Sequence, residues 1–340
     1  MKQYINDLCN LAGVSGNEEK IREYIISQIS QYCTYEVDNL GNLIAFKRGK
    51  NSPFKKIMFC AHMDEVGFLI TEVCDDGCLN FTVTGGIDPR VIIGKKVRIY
   101  PGNILGIIGA KPIHLQSKEE KEKVHKADEL YIDIGAFSKE EAEKYVNVAD
   151  FAVFESDYVE FGENFIKAKA LDDRTGCSIL IEMIKSDLDF DCFFVFNIGE
   201  EIGLAGAGVS AFEINPDIAF VIEATTAADF HNIPESKKAC RLGQGAVISF
   251  MDNSTYYSKR LFNMAKKISD ENNIKVQVKE IVSGGNDSGA IHTTAMGIET
   301  LAISLPCRYL HSPSSVICYN DYQSVKNLCF EFLKRTGNMI

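Results

Sequence analysis

The sequence has no block of basic residues, no apolar run long enough to cross a membrane, and no internal repeat or low-complexity tract. With 36 Lys and Arg against 47 Asp and Glu, a net charge of −11 and a pI near 5.2, the first absence argues against nucleic acid or an anionic membrane as partner. The one dense charge run, 117–126, is mixed in sign and reads as a solvated segment. The segment 1–10 carries charges early and has no apolar core of signal-peptide type, so a cytoplasmic location is expected. The missing repeat excludes solenoids and propellers. A disulfide framework is also not indicated, because the eleven cysteines are odd in number and several (Cys60, Cys177, Cys192) sit inside apolar runs. Cys74 and Cys78, flanking an Asp-Asp-Gly turn, are the one pair to check for a metal or a bridge.

What is present suits a large core. A chain of 340 residues with 46% hydrophobic and 24% charged content is long enough for two domains. Ser15-Gly-Asn-Glu18 has the capping-box pattern ahead of an apolar helix face at Ile21, Tyr24, Ile25 and Ile29. Strands are predicted over 34–37, 42–46 and 56–61, and helices over 173–185, 258–272 and 322–335. Between Gly67 and Gly162 the texture changes to short β-like pieces broken by Gly, Pro and Asp. The expectation is an α/β fold with a mainly parallel sheet flanked by helices, discontinuous over 1–66 and 163–340, with 67–162 inserted as a small β-rich domain.

Acidic and imidazole side chains recur where apolar runs end. His62 follows Ile57–Ala61, Glu200 and Glu201 follow 192–198, Glu223 follows 218–222, and His311 comes soon after 301–305. Asp172 opens a further helix. The carboxyl ends of strands in an open α/β sheet share one rim, so these residues can meet there. Asp64, two residues from His62, is the natural orienter of a metal-bound imidazole, although a satisfied structural histidine would have the same pattern. Asp173 suits the cap of the following helix, leaving Asp172 free to bridge. Adjacent glutamates at a buried rim repel unless cations or a shared proton intervene; an exposed loop pair is the alternative. Arg308 lies near His311 in sequence, available to a substrate carbonyl or an acidic partner. Two histidines with three or more carboxylates suit Zn²⁺, Co²⁺ or Mn²⁺, and a pair of such ions about 3.5–4 Å apart activates water and stabilises an oxyanion. Glu200 is then the candidate base.

The motifs Ala61-His-Met-Asp-Glu-Val-Gly67, Lys169-Ala-Leu-Asp-Asp-Arg-Thr-Gly-Cys177, Glu200-Glu-Ile-Gly-Leu-Ala-Gly-Ala207, Ser283-Gly-Gly-Asn-Asp-Ser-Gly-Ala-Ile-His292 and Cys307-Arg-Tyr-Leu-His-Ser-Pro313 resemble those of the tetrahedral aminopeptidases. These are co-catalytic metallopeptidases, also described as glutamyl or deblocking aminopeptidases or as endoglucanases, and the resemblance runs along essentially the whole chain. It implies that His62 and Glu223 hold one metal, Glu201 and His311 the other, that Asp172 bridges them, that Glu200 is the general base, and that Asp64 orients His62. It also implies a cis Asp172–Asp173 bond, a PDZ-like insertion that pairs subunits, and a dodecamer built from dimers. Glu223 departs from the family, where Asp is usual; Gly199 and Asn286 are milder departures. The function expected is a binuclear metalloaminopeptidase, with two divalent ions per subunit, that trims short peptides. The alternatives are a hydrolase of N-acyl or other amide bonds and a non-catalytic oligomeric scaffold. A glycosidase lacks support, because these acids stand in metal-ligand order with two histidines.

Overall fold

Runs of Val, Ile and Phe that are buried at nearly every position make the centre of the fold. The structure is a computed structural model and describes residues 2–339. Strands Cys192–Asn197, Ile57–His62, Ile218–Thr226 and Glu299–Arg308 lie side by side and parallel. Strands shielded on both faces need continuous apolar runs rather than alternation, and Ile57–His62 is buried throughout. Helices Leu171–Ile184, Lys259–Asn272 and Tyr319–Gly337 join one core that includes Phe59, Phe194, Phe220 and Phe332. A smaller cluster with Met58, Val195, Ala211 and Val221 packs helix Ala207–Ile214 on the other face.

The parallel character stops at the flanks. Thr34–Val37 and Leu43–Lys47 form an antiparallel hairpin, and the second of these runs antiparallel to Cys192–Asn197. On the far side Ser315–Cys318, Phe165–Ala168 and Val159–Phe161 continue antiparallel. The sheet is therefore mixed, not mainly parallel: short turns join only antiparallel neighbours, while parallel pairs need a helical crossover.

From Gly67 onward, six strands (Gly67–Val73, Leu79–Thr84, Tyr131–Asp133, Ile104–Gly109, Lys96–Tyr100 and Phe151–Phe154) close in that order into a barrel. Closure removes exposed sheet edges. The barrel has its own core, in which Phe68 meets Phe81 and Phe154 edge-on with ring centroids 5.2 Å apart. Strand Val159–Phe161, which the sequence texture grouped with the insertion, belongs to the large sheet. All eleven cysteines are free, Cys74 and Cys78 included. Among the described residues no helix is long and apolar enough to cross a membrane.

Candidate active site

The parallel strands deliver their chemistry to one rim. His62 ends Ile57–His62, the Glu200–Glu201 turn follows Cys192–Asn197, and His311 lies three residues beyond Glu299–Arg308. Glu223 differs from expectation by sitting inside its strand, opposite Ser304, because pairing continues to Thr226. Asp172 and Asp173 stand at the start of Leu171–Ile184 with non-helical backbone angles and a cis bond between them. Asp173 Oδ1 accepts the Gly176 N–H at 2.9 Å, the cap its position suggested.

Four side chains, His62, Glu223, Glu201 and His311, converge on Asp172. His62 Nε2 is 3.1 Å from Asp172 Oδ1 and 3.5 Å from Glu223 Oε1. His311 Nε2 is 3.3 Å from Asp172 Oδ2 and 3.4 Å from Glu201 Oε1. Asp172 thus turns one oxygen to each imidazole. The outer ring nitrogens are engaged elsewhere: His62 Nδ1 donates to the Asp64 carbonyl at 3.0 Å with Asp64 Oδ1 at 3.3 Å, and His311 Nδ1 donates to the Gly86 carbonyl at 2.8 Å. Each Nε2 therefore faces the cluster, where it can give up its proton and present a lone pair to a cation. Ligand atoms of His62, Asp172 and Glu201, and likewise of Asp172, Asp173 and Glu223, gather within 4.8 Å of one another. Glu201 Oε1, Glu223 Oε2 and Asp173 Oδ2 are buried with no hydrogen-bond partner. Orphaned buried carboxylate oxygens are costly. Divalent cations would satisfy them, so the residues fit such ions.

The electrostatics agree. Burial lifts the Glu200 carboxyl to about 9 and that of Glu201 to about 7. Burial, reinforced by the Asp172 charge, also raises Glu223 well above the carboxylate range. Burial opposes protonation of His311, but Asp172 and Glu201 outweigh it and raise the ring to about 9. Without cations the cluster retains protons, and a bound metal displaces them.

Asp64 does more than face His62. Its carboxylate accepts the Ser15 hydroxyl at 2.6 Å and the N–H groups of Glu200 and Glu201 at 3.1 Å each. The capping box expected at Ser15–Glu18 does not form: the helix starts at Glu19, and Glu18 instead accepts the N–H groups of Gly16 and Gly199 at 2.9 and 3.2 Å. Ser15 and Glu18 thus brace the glutamate turn, a role their spacing did not suggest. Asp287, within the 283–292 motif, accepts from the Asn197 amide at 2.8 Å beneath the site. Arg308 is held by Asp229 through bonds of 2.6 and 2.8 Å, so it has the acidic partner and does not reach the cluster.

A cavity of about 1070 Å³ opens over the cluster. Asp172, Glu200, Glu201 and His311 line one side and the barrel residues Gly86, Asp88 and Lys95 another. Gly85, with φ +85°, packs so closely that a Cβ there would stand 2.7 Å from Val66 and 3.2 Å from Glu201 Oε2. The barrel therefore touches both residues of one candidate ion site.

Known proteins match this chain over nearly its whole length. A family profile described as M42 glutamyl aminopeptidase matches residues 41–328. A protein of Acetivibrio thermocellus, provisionally named an aminopeptidase, is 40% identical over 336 residues, covering 97% of this chain and 98% of that one. The lysyl aminopeptidase of Pyrococcus furiosus is 30% identical over 337 residues, covering 96% and 95%. Among solved structures, the Pyrococcus horikoshii TET1 peptidase, described as assembling into a tetrahedron or a large octahedral shell, has a TM-score of 0.86 at 36% identity, with 97% and 98% covered.

Proposed function

Since this chain belongs to the M42 glutamyl aminopeptidase family of metal-dependent peptidases, we propose that it removes N-terminal residues from short peptides at a two-ion site centred on Asp172. His62 and Glu223 would hold one ion and Glu201 and His311 the other, with Asp172 shared between them. The observation that carries this reading is the pair of imidazole Nε2 atoms facing opposite oxygens of one carboxylate, flanked by orphaned oxygens of Glu201 and Glu223. Divalent ions bound there would supply Lewis acidity toward the scissile carbonyl and the attacking water.

The chain's own residues supply the rest. Glu200 takes a proton from the attacking water and returns it to the departing amine, for which its position in the cavity wall suits it. Asp64 keeps the His62 ring oriented and holds the turn that carries both glutamates. The acids around the cluster favour the free amine of an unblocked peptide. The segments 1–66 and 163–340, together with strand Val159–Phe161 of their sheet, make up the catalytic domain, and the rest of 67–162 is an insertion through which copies of the chain associate into dimers and a dodecamer, as the TET1 relative's shells suggest.

Glu200→Gln tests the assignment. It removes the base and leaves the five proposed ligands in place, so turnover should fall roughly 100-fold or more with metal content unchanged. Near-normal turnover would exclude Glu200 as the base. Release of free amino acids from acetylated as readily as from unblocked peptides would replace the aminopeptidase by a broader amide hydrolase.

A further inference from the structure

Arg174 follows Asp172 by two positions and is fully buried, yet among the described residues its one ion pair is with Glu65, outside the acidic cluster. Its guanidinium spreads over four partners. Nε donates to the Met63 carbonyl at 2.7 Å and Nη1 to the Leu8 carbonyl at 2.7 Å, while Nη2 donates to the Gly13 carbonyl at 3.2 Å and to Glu65 Oε1 at 3.3 Å. Both Glu65 oxygens also accept from Lys169 Nζ at 2.7 Å, and Lys169 reaches the Leu11 carbonyl at 2.8 Å. The three side chains are buried with two positive charges against one negative, so backbone carbonyls complete what a single carboxylate leaves over.

These contacts gather three parts of the chain. Met63 lies between His62 and Asp64 at the end of strand Ile57–His62, and Arg174 stands in the first turn of Leu171–Ile184, just behind Asp172. One turn on, the Cys177 thiol donates to the His62 carbonyl at 3.1 Å. Leu8 belongs to the helix Lys2–Asn10, and Leu11 and Gly13 to the segment leading to Ser15 and Glu18, which brace the glutamate turn. Gly13 has no room for a side chain: a Cβ there would stand 2.8 Å from Ile21 and 3.2 Å from Arg174 Nη2. We propose that Arg174 is a positioning residue that sets the separation of Asp172 from His62 by locking the start of its helix to the Met63 carbonyl and to the amino-terminal segment. The inference rests on the two-ion reading above. Stability alone does not call for charge at this place, since apolar replacements of buried ion pairs are often neutral or stabilising. What they cannot do is hold several acceptors at set angles. The rigid planar fork of a guanidinium does so, and the single ammonium of a lysine does not.

Arg174→Lys and Glu65→Gln separate positioning from bulk stability. Lysine at 174 keeps the charge and gives up the fork; glutamine at 65 keeps the Met63 bond and leaves two buried cations without their anion. Arg174→Lys should lower kcat about 100-fold, as for a misplacement of about 1 Å, with KM changed less than about threefold. Glu65→Gln should melt at the lower temperature of the two and lose less than about tenfold in kcat. In the metal-free proteins, calorimetric titration with Zn²⁺ should show Arg174→Lys binding an ion about 10- to 100-fold more weakly than the parent. Its amide exchange over 62–66 should be faster than in the parent or in Glu65→Gln. Turnover that falls in step with melting temperature across the two variants overturns the proposal. So does an Arg174→Lys protein with the parent's kcat, zinc isotherm and exchange over 62–66. If Glu65→Gln does not fold, Arg174→Lys decides alone: a weakened isotherm with faster exchange centred on 62–66 supports positioning, and exchange raised throughout the chain overturns it. If the parent cleaves no peptide with any metal, the aminopeptidase reading fails, and the zinc isotherm and the exchange then decide Arg174 by themselves.

Discussion

Replacing Asp64 by asparagine puts the organisation of the rim to its most direct test. Asp64 Oδ1 accepts the Glu200 N–H and faces His62 Nδ1, while Oδ2 accepts the Glu201 N–H and the Ser15 hydroxyl. An asparagine must present its amide NH2 on one side or the other. Ser15 can turn its hydroxyl to accept, and His62 keeps the Asp64 carbonyl at 3.0 Å, but a backbone N–H cannot reverse. Either orientation leaves one buried glutamate amide facing a donor. That orphan costs about 1–3 kcal/mol, and the surviving bonds lose their charge assistance, for a total of about 3–5 kcal/mol. Unfolding entropy near 2.1 cal/mol/K per residue over a chain of this length gives a melting shift of roughly 4–7 °C. The displaced turn carries the proposed base and one proposed ligand, and a misplacement of about 1 Å costs on the order of 100-fold in turnover. Differential scanning calorimetry and steady-state kinetics on Asp64→Asn would measure both effects. A variant that melts within a degree of the parent and turns over normally would show that the carboxylate neither braces the turn nor orients the ring.

Three further outcomes follow from the site. Glu223 bends back so that its Oε1 accepts the N–H of Ala224 at 2.9 Å, so its ion should be lost first on mild chelation and Glu223→Asp should hold it longer; equal retention in metal analysis would show that the extra methylene has no effect. In the metal-free protein, Glu200, Glu201 and His311 have folded-state values raised to about 9, 7 and 9 from ordinary values of 4.5, 4.5 and 6.5. Groups with raised folded values stabilise fully below the unfolded value and lose that contribution as pH rises through the folded one. The metal-free melting temperature should therefore fall between about pH 5 and pH 9, with divalent ions protecting more at the alkaline end; a flat profile would contradict the clustered-carboxylate account. Gly85→Ala should lower turnover and metal content together, because the new methyl group meets Val66 and Glu201 at a left-handed backbone position; unchanged metal content would show that the barrel turn yields without disturbing the glutamate.

Much of this was legible from local patterning. Buried strands require unbroken apolar runs, so the run ending at His62 and the one ending before the glutamate pair exposed the rim directly. The helix predicted over 258–272 differs by one residue from Lys259–Asn272, because Ser258 caps it by accepting the Leu261 N–H. What stayed hidden depends on partners distant in the chain. Ser15 looked like a helix cap because Glu18 follows at capping-box spacing, yet its hydroxyl goes to a carboxylate 49 positions away. Strand direction at the sheet flanks depends on how each connection returns, which apolar content does not encode. Glu223 lies mid-strand for a similar reason, since the neighbouring strand extends its ladder beyond the apolar run.

The bond from His311 to Gly86 ties a turn of the barrel to a residue 225 positions later. An inserted unit joined to its host only through its two chain ends could be exchanged among relatives by recombination at little cost. This one also supplies the acceptor for an imidazole and the glycine beside a glutamate, so a transplanted barrel with a different turn would leave the ring without its partner. Inheritance should accordingly treat the Gly85–Gly86 turn and the Tyr309–His311 loop as one unit, and chimaeras assembled from related chains should stay active only when both segments come from the same parent.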